Sequence, residues 1–374
     1  MTQPPAADFS MQRSSRAAEN IPEVLAAWLA TELPEGAGPS VTLHTGIEAN
    51  GMSSETLVLD ASWTENGERR DGEFVARVAP AAEDVPVFPA YRLQDQFDAM
   101  RLAAAYSDVP VPTVRWMEPT GEVLGTPFFL MDRVDGVVPP DVLPYNFGDN
   151  WLFDAEAEQQ RRLQDSTVSV IAGLHGIADA TSTFKFLEAD TAGDTMLRRN
   201  LARTRAWYDF AVVDGGPSPL IERGLAWLEA HVPTGTDTVL CWGDARIGNV
   251  LYRDFEPVGV LDWEMAGVGP REMDLAWLVF AHRVFETIAG SMELPGMPDF
   301  LREDDVRATY AESTGIEVGE LDWFQLYDAV QWGIVFMRTG ARQVRFGEIE
   351  QPGDIESLMH HRPLFEQLLD EAGA

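Results

Sequence analysis

Residues Cys241 to Glu264 read CWGDARIGNVLYRDFEPVGVLDWE and combine Asp244, Asn249 and Asp262 with two short apolar runs. The runs, NVLYR (249–253) and VGVLD (258–262), are joined by DFEP, a connection of hairpin length. In an antiparallel hairpin the start of one strand lies beside the end of the next. The spacing therefore predicts that Asn249 and Asp262 meet, with Asp244 one loop away. An amide oxygen beside a carboxylate suits Mg²⁺, a hard ion held by a few oxygens together with substrate phosphates. A separate carboxylate five residues before the asparagine suits a base that orients a hydroxyl and takes its proton. One base and two metal ligands are what phosphoryl transfer from ATP requires, since positioning and charge neutralisation carry that reaction.

The elements around this stretch change character along the chain. Residues 20–32 have apolar positions at helical spacing, with Asn20 as N-cap and Pro22 in the first turn. Strand-like runs follow at 41–46, 55–63 and 72–80, joined by turn residues such as NGERRDG, and read as an antiparallel meander. A helix is predicted over 91–107, then strands at 113–119 and 126–134. Beyond Asp135–Gly136 helical periodicity dominates, at 160–178, 195–213, 218–231, 272–289, 303–313 and 321–340. Strands and helices are segregated, an α+β pattern. The expected division is an extension with a helix over 1–39, a β-rich lobe over 40–135 and a helical lobe over 136–374.

Composition excludes several function classes. The chain has 374 residues, 45% of them hydrophobic, which is ample for a core. Its net charge of −34 opposes general binding to nucleic acid and docking on anionic membranes. No secretory signal or membrane-spanning run stands out, so a cytoplasmic location is the default expectation, as a monomer or homodimer. Cys241 is the only cysteine, so an internal disulfide and a cysteine-rich zinc site are ruled out, and it reads as a small buried residue. The histidines show no HExxH spacing and there is no GxSxG elbow; His175, at a helix end, reads as structural. Lys185 is the only lysine, so a site that needs a cation must use arginine.

The block WGDARIGNVLY…VGVLDWEMAGVGPREMDLAW resembles the aminoglycoside phosphotransferase-like family, whose fold is two-lobed and protein-kinase-like. It is similar in particular to the branch related to the kinase-like domain of some acyl-CoA dehydrogenases. The resemblance extends over roughly residues 40–345 and implies an ATP- and Mg²⁺-dependent kinase that phosphorylates a hydroxyl of a small molecule. It makes Asp244 the catalytic base, Asn249 and Asp262 the metal ligands and Asp274 a brace for the catalytic loop. Arg246 is placed near the transferred phosphate. TPFFLMDRVDG resembles the family's hinge, with Met131 behind the adenine and the backbone of Asp132 and Val134 along its edge. ANGMSSETLVL resembles the phosphate-covering loop, with Gly51 and Ser53 near the phosphates, and Arg77 takes the place of the β3 lysine.

Three departures accompany the resemblance. Arg77 keeps the charge but not the shape of lysine. Gln96 stands where the partnering glutamate is usual, so the anchor of Arg77 is weaker or comes from Asp95. Trp242 replaces the histidine before Gly-Asp and alters packing. Bland readings stand beside these. Asp244, Asn249 and Asp262 also suit turn chemistry, Arg77 an exposed strand, and Gln96 an exposed helix position. RAWYDF (205–210) is either core or a lining of the acceptor cleft. For the acceptor, a cationic aminoglycoside would suit an acidic cleft, although the acidic run at 303–322 reads as a solvated helix face. A hydroxylated acyl-CoA would need a basic patch, which the sequence does not display. Two rivals remain: a nucleotide-binding pseudokinase, which Gln96 favours and the Asp/Asn/Asp trio opposes, and a metal-dependent phosphohydrolase.

Overall fold

Two residues of positive φ, Asn66 (53°) and Gly67 (78°), close a long hairpin. Both types suit the tight turn that matches the twist of paired strands. On either side run β2 (Glu55–Glu65) and β3 (Glu68–Val78), in register from Glu65↔Glu68 to Glu55↔Val78. ERRDG, expected in the connection, therefore lies in β3, because the turn needs only two residues. The computed structural model describes residues 20–44, 54–141 and 144–374. Within them β1 (Ser40–Leu43), β4 (Val114–Glu118) and β5 (Phe128–Asp132) complete an antiparallel sheet of order β1-β2-β3-β5-β4.

The period of two along β5 gives this sheet two cores. Phe128 and Leu130 pack with α1 (Ile21–Glu32), where Leu25, Trp28 and Leu29 are buried and the Trp28 ring meets Phe128 edge-on at 4.6 Å. Phe129 and Met131 face the opposite way, towards α2 (Leu93–Tyr106) and the main core. Pro22 sits in the first turn of α1 as expected, but Asn20 makes no side-chain cap bond.

The remainder is mainly helical. It contains α3 (Ala157–His175), α4 (Ala180–Thr183), α5 (Met196–Gly215), α6 (Pro219–Ala230), α7 (Glu272–Ser291), α8 (Glu303–Thr314), α9 (Asp322–Phe346) and α10 (Arg362–Glu371). Two small antiparallel pairs interrupt the helices: β6 (Val239–Cys241) with β9 (Gly267–Gly269), and β7 (Val250–Arg253) with β8 (Glu256–Val260). The fold is thus α+β, with a β-rich lobe and a helical lobe, as expected from the sequence. Among the described residues no helix is long and apolar enough to cross a membrane.

The lobes are tied by the segment between β3 and α2. Trp207 of α5 donates its indole N–H to the Val87 carbonyl at 2.9 Å, and Arg338 of α9 donates to the Pro86 carbonyl at 2.9 Å. Phe88 stacks on Trp207 with ring centres 4.9 Å apart. Both bonds satisfy carbonyls of a connection that has no strand partner to do so.

Because Leu25 is fully buried between α1 and the sheet, Leu25→Ala should lower unfolding free energy by about 2–5 kcal/mol. Denaturant titration followed by tryptophan fluorescence would measure it.

Candidate functional site

The site is organised from the first turn of α7. Asp274, fully buried, accepts the backbone N–H of Trp242 at 2.7 Å and of Gly243 at 2.8 Å. His175, at the end of α3, adds a contact at 3.1 Å through Nε2, and its Nδ1 lies 3.0 Å from the Tyr310 hydroxyl. The carboxylate thereby fixes the chain just before Asp244. Gly243 can follow that path because it has no side chain: its φ is 92°, and a Cβ would stand 2.2 Å from the Met265 carbonyl oxygen. Cys241, two residues before Gly243, is buried and directs its thiol to the Pro270 carbonyl at 3.4 Å, and burial pushes that thiol well above its ordinary pKa.

Asp244 is held by two donors on one oxygen. Trp277 gives its indole N–H to Oδ1 at 2.7 Å, and Arg246 gives Nε–H at 3.0 Å. Trp277 lies one turn beyond Asp274 on the same face of α7, so a single helix braces both the loop and its carboxylate. Burial raises the Asp244 pKa above its usual value, Arg246 opposes the shift, and the charge of Asp262 adds to it. Arg246 is itself shared with Asp141. Burial works to lower the Arg246 pKa, and the two carboxylates overcome it and raise it.

Asn249 and Asp262 come together as the hairpin spacing requires, with two adjustments. Asn249 closes a short 3₁₀ turn (Ile247–Asn249) ahead of β7, and Asp262 follows β8 by two residues in a left-handed conformation, φ 56°. Their chains are joined by the Leu261 N–H donating to the Asn249 carbonyl at 2.8 Å. The connection in the hairpin is Asp254-Phe255 alone, both at positive φ, since Glu256 and Pro257 belong to β8. Asn249 donates its amide to the Asp244 carbonyl at 3.1 Å, which leaves its side-chain oxygen as the group able to meet a cation. Trp242, buried, donates its indole N–H to the Leu261 carbonyl at 2.8 Å, so the residue expected mainly to alter packing also tethers the approach to Asp262.

Arg77 reaches this cluster from β3. Its Nη2 lies 2.5 Å from Asp262 Oδ1 and 3.3 Å from Glu264 Oε2. Burial would lower the Arg77 pKa, and these two carboxylates overcome that and raise it. The expected anchor on α2 is thereby corrected. Asp95 pairs with Arg92 at 3.8 Å, Gln96 makes no hydrogen bond to Arg77, and the carboxylates after β8 take that role because they lie within direct reach. Gln96 is buried rather than exposed.

The hinge positions end β5. Met131 is buried against the main core, and the Asp132 N–H is already committed to the Thr113 carbonyl at 2.8 Å. The Asp132 side chain is clamped by Arg115 through two bonds of 2.6 Å. Val134 is half-buried just beyond. Gly51 and Ser53 lie outside the described residues.

A cavity of about 260 Å³ opens beside the Asp244 loop. Gly243 and Trp277, the neighbours of Asp244, form part of its wall, together with Gln96, Glu264, Arg203 and Trp207. Of the RAWYDF run only Ala206 and Trp207 line it; Tyr208 is buried against Ser218, and Phe210 lies under the Arg338 guanidinium at 4.2 Å. Trp277 and Glu264 are the site residues that sequence reasoning missed. For Trp277 the available signal is its i+3 spacing from Asp274; for Glu264, its place two residues after Asp262.

Residues 61–311 match the sequence profile of APH, a phosphotransferase enzyme family. Over 215 residues the chain is 27% identical to acyl-CoA dehydrogenase family member 10 of Mus musculus, covering 57% of this chain and 18% of that protein. Over 274 residues it is 24% identical to the probable acyl-CoA dehydrogenase IBR3 of Arabidopsis thaliana, covering 68% of this chain and 31% of that one. The chain thus spans less than a third of the length of either relative. A putative aminoglycoside phosphotransferase from Ralstonia eutropha superposes with a TM-score of 0.65 at 20% identity, over 94% of this chain and 98% of the other. The GDP complex of aminoglycoside 2'-phosphotransferase-IIIa superposes at 0.52 with 14% identity, over 94% and 98%.

Since Asp274 satisfies two backbone donors in a fully buried position, Asp274→Ala strands both. The substitution should cost about 2–5 kcal/mol of stability, measurable as a drop in the denaturant midpoint. Trp277→Phe removes one hydrogen bond while keeping a ring, and should cost about 1–2 kcal/mol by the same measurement.

Proposed function

This chain belongs to the phosphotransferase enzyme family, and from that premise we propose that it transfers the γ-phosphoryl group of ATP to a hydroxyl of a small molecule. The observation that carries the reading is the convergence of Asp244, Asn249 and Asp262 on one loop-and-hairpin unit braced by Asp274. In this reading Asp244 orients the acceptor hydroxyl. Its Oδ1 is occupied by Trp277 and Arg246, so proton acceptance falls to Oδ2. The acceptor oxygen forms a bond to the γ-phosphorus, the bond from that phosphorus to the bridging oxygen breaks, ADP leaves with the electron pair, and the hydroxyl proton passes to Asp244.

The residues fit a divalent cation of the magnesium type. Asn249 offers an oxygen, and Asp262 offers a half-buried carboxylate whose present partner is the Arg77 cation. A bound Mg²⁺ would neutralise phosphate charge there. Arg77, with five donors in a planar fork, is suited to phosphate oxygens and would exchange part of its contact with Asp262 for them. An adenine at the hinge would use the Asp132 carbonyl and the Val134 N–H, since the Asp132 N–H is taken. Gly51 and Ser53 remain assigned to the phosphate-covering loop. The amide at Gln96, the feature that favours a pseudokinase, is not what holds Arg77, so it gives no ground for a lost anchor.

Asp244→Asn should lower transfer at least about 100-fold while Mg²⁺-dependent thermal stabilisation by ATP persists. Unchanged turnover in that variant would remove Asp244 from the base role. The base must be ionised and burial raises its pKa, so activity should rise with pH along an acid limb above the ordinary aspartate range. Arg246→Gln removes the opposing charge and should move that limb to higher pH, read from kcat/KM against pH.

A further inference from the structure

The cavity beside Asp244 holds two features that the transfer step does not use. Asp328, on α9 and only 1% exposed, lines it with a buried Oδ2 that has no hydrogen-bond partner among the described residues. A buried polar atom left without a partner is costly unless a ligand or water meets it. The second is Arg203 of α5. It lines the cavity with its guanidinium over Gly267, where an added Cβ would stand 3.5 Å from Nη2. Among the described residues it forms no ion pair and no hydrogen bond, whereas most arginines of this chain are paired.

Most of the other charged groups lining the cavity already have partners. Arg92, the other lining cation, pairs with Asp95, and Glu188 pairs with Arg199 at 3.4 Å. Glu264 holds Arg77, and Asp190 is exposed at the mouth, where water and salt screen it. Burial, with Asp274 nearby, raises the Asp328 pKa well above the usual range, which favours its uncharged, hydrogen-bonding form. Arg203 is thus a half-buried lining cation with no hydrogen-bond or ion-pair partner among the described residues. The volume, about 260 Å³, lies below the roughly 300–1,000 Å³ of pockets for drug-sized ligands and suits a molecule of metabolite size.

We propose that this cavity is the acceptor site and that it selects a small hydroxy acid, whose carboxylate is received by Arg203 while a second polar group of the acceptor meets Asp328. The proposal rests on the phosphotransferase reading for the role of Asp244, but recognition of the carboxylate does not depend on turnover. Arginine receives a carboxylate through two parallel hydrogen bonds, which an uncharged or cationic analogue cannot reproduce. With Trp277 and Gly243 in the same wall, an acceptor so held keeps its hydroxyl near Asp244. Transfer then forms the bond from that hydroxyl oxygen to phosphorus, releases ADP, and leaves the proton on Asp244.

The test uses the full chain with Mg²⁺ and a non-hydrolysable ATP analogue. Quenching of the cavity tryptophans reports binding of glycerate, 3-hydroxybutyrate and 6-hydroxyhexanoate, each against the matched polyol and amino alcohol. At least one hydroxy acid should saturate, and bind ~10–100-fold more tightly than its matched alcohols. Arg203→Met should erase that preference and Arg203→Lys should restore part of it. Asp328→Asn should weaken binding while the preference for the carboxylate remains. Equal or tighter binding of the amino alcohols to the wild-type protein, or no saturable binding of any hydroxy acid, would overturn the proposal. Phosphate transfer measured in parallel with ATP separates the two readings. Transfer to alcohols without preference for acids sinks the hydroxy-acid assignment alone, whereas selective binding without any transfer sinks the phosphotransferase reading alone.

Discussion

The site depends on one buried carboxylate that braces the loop before Asp244. Asp274 gathers the amides of Trp242 and Gly243 and the imidazole of His175 in a fully buried position. A buried acid in that role is stable only because its acceptor capacity is met by donors fixed in the backbone. The consequence is directional. The loop must leave the β6 strand at a set angle, Gly243 must adopt a conformation closed to other residues, and Asp244 must emerge beside α7. Trp277, one turn along the same helix, then receives it. Helix, loop and the Asp244 carboxylate thus form a single unit.

Around that unit, charge is paired at short range in a protein whose net charge is −34. Arg77 spans Asp262 and Glu264, and Arg246 spans Asp141 and Asp244. Buried pairs of this kind contribute little net stability, because desolvation offsets most of the attraction. Their effect is geometric: each guanidinium has fixed donors and holds two carboxylates at a defined separation. Four acids can therefore stand close together without driving the loop apart.

The floor of the cavity has a different origin. The segment after β3 has no strand to pair with, so its carbonyls are taken by Trp207 and Arg338 from the helical lobe. Those bonds bring α2, the sheet and α5 to one place. The space they enclose is bounded by the loop at Gly243 on one side and by α9 on the other.

Much of this was legible in the primary structure. Period two and period 3.6 separated a β-rich half from a helical one, and the helices at 272–291 and 303–314 lie close to where periodicity puts them. The hairpin spacing brought Asn249 to Asp262, because antiparallel pairing is a local rule that needs no knowledge of the rest of the chain. The three-residue strands β6 and β9 were not legible, since strands so short carry no periodic signal and exist only through each other. The partners of Arg77 were also hidden. They are 185 and 187 residues away, and family resemblance pointed to α2 instead. Sequence by itself determined which chemical groups are present and which of them neighbouring strands must bring together. Tertiary structure alone decided which charges neutralise one another and which, like Arg203, are left to face a cavity, because pairing over such separations is settled by how whole elements pack.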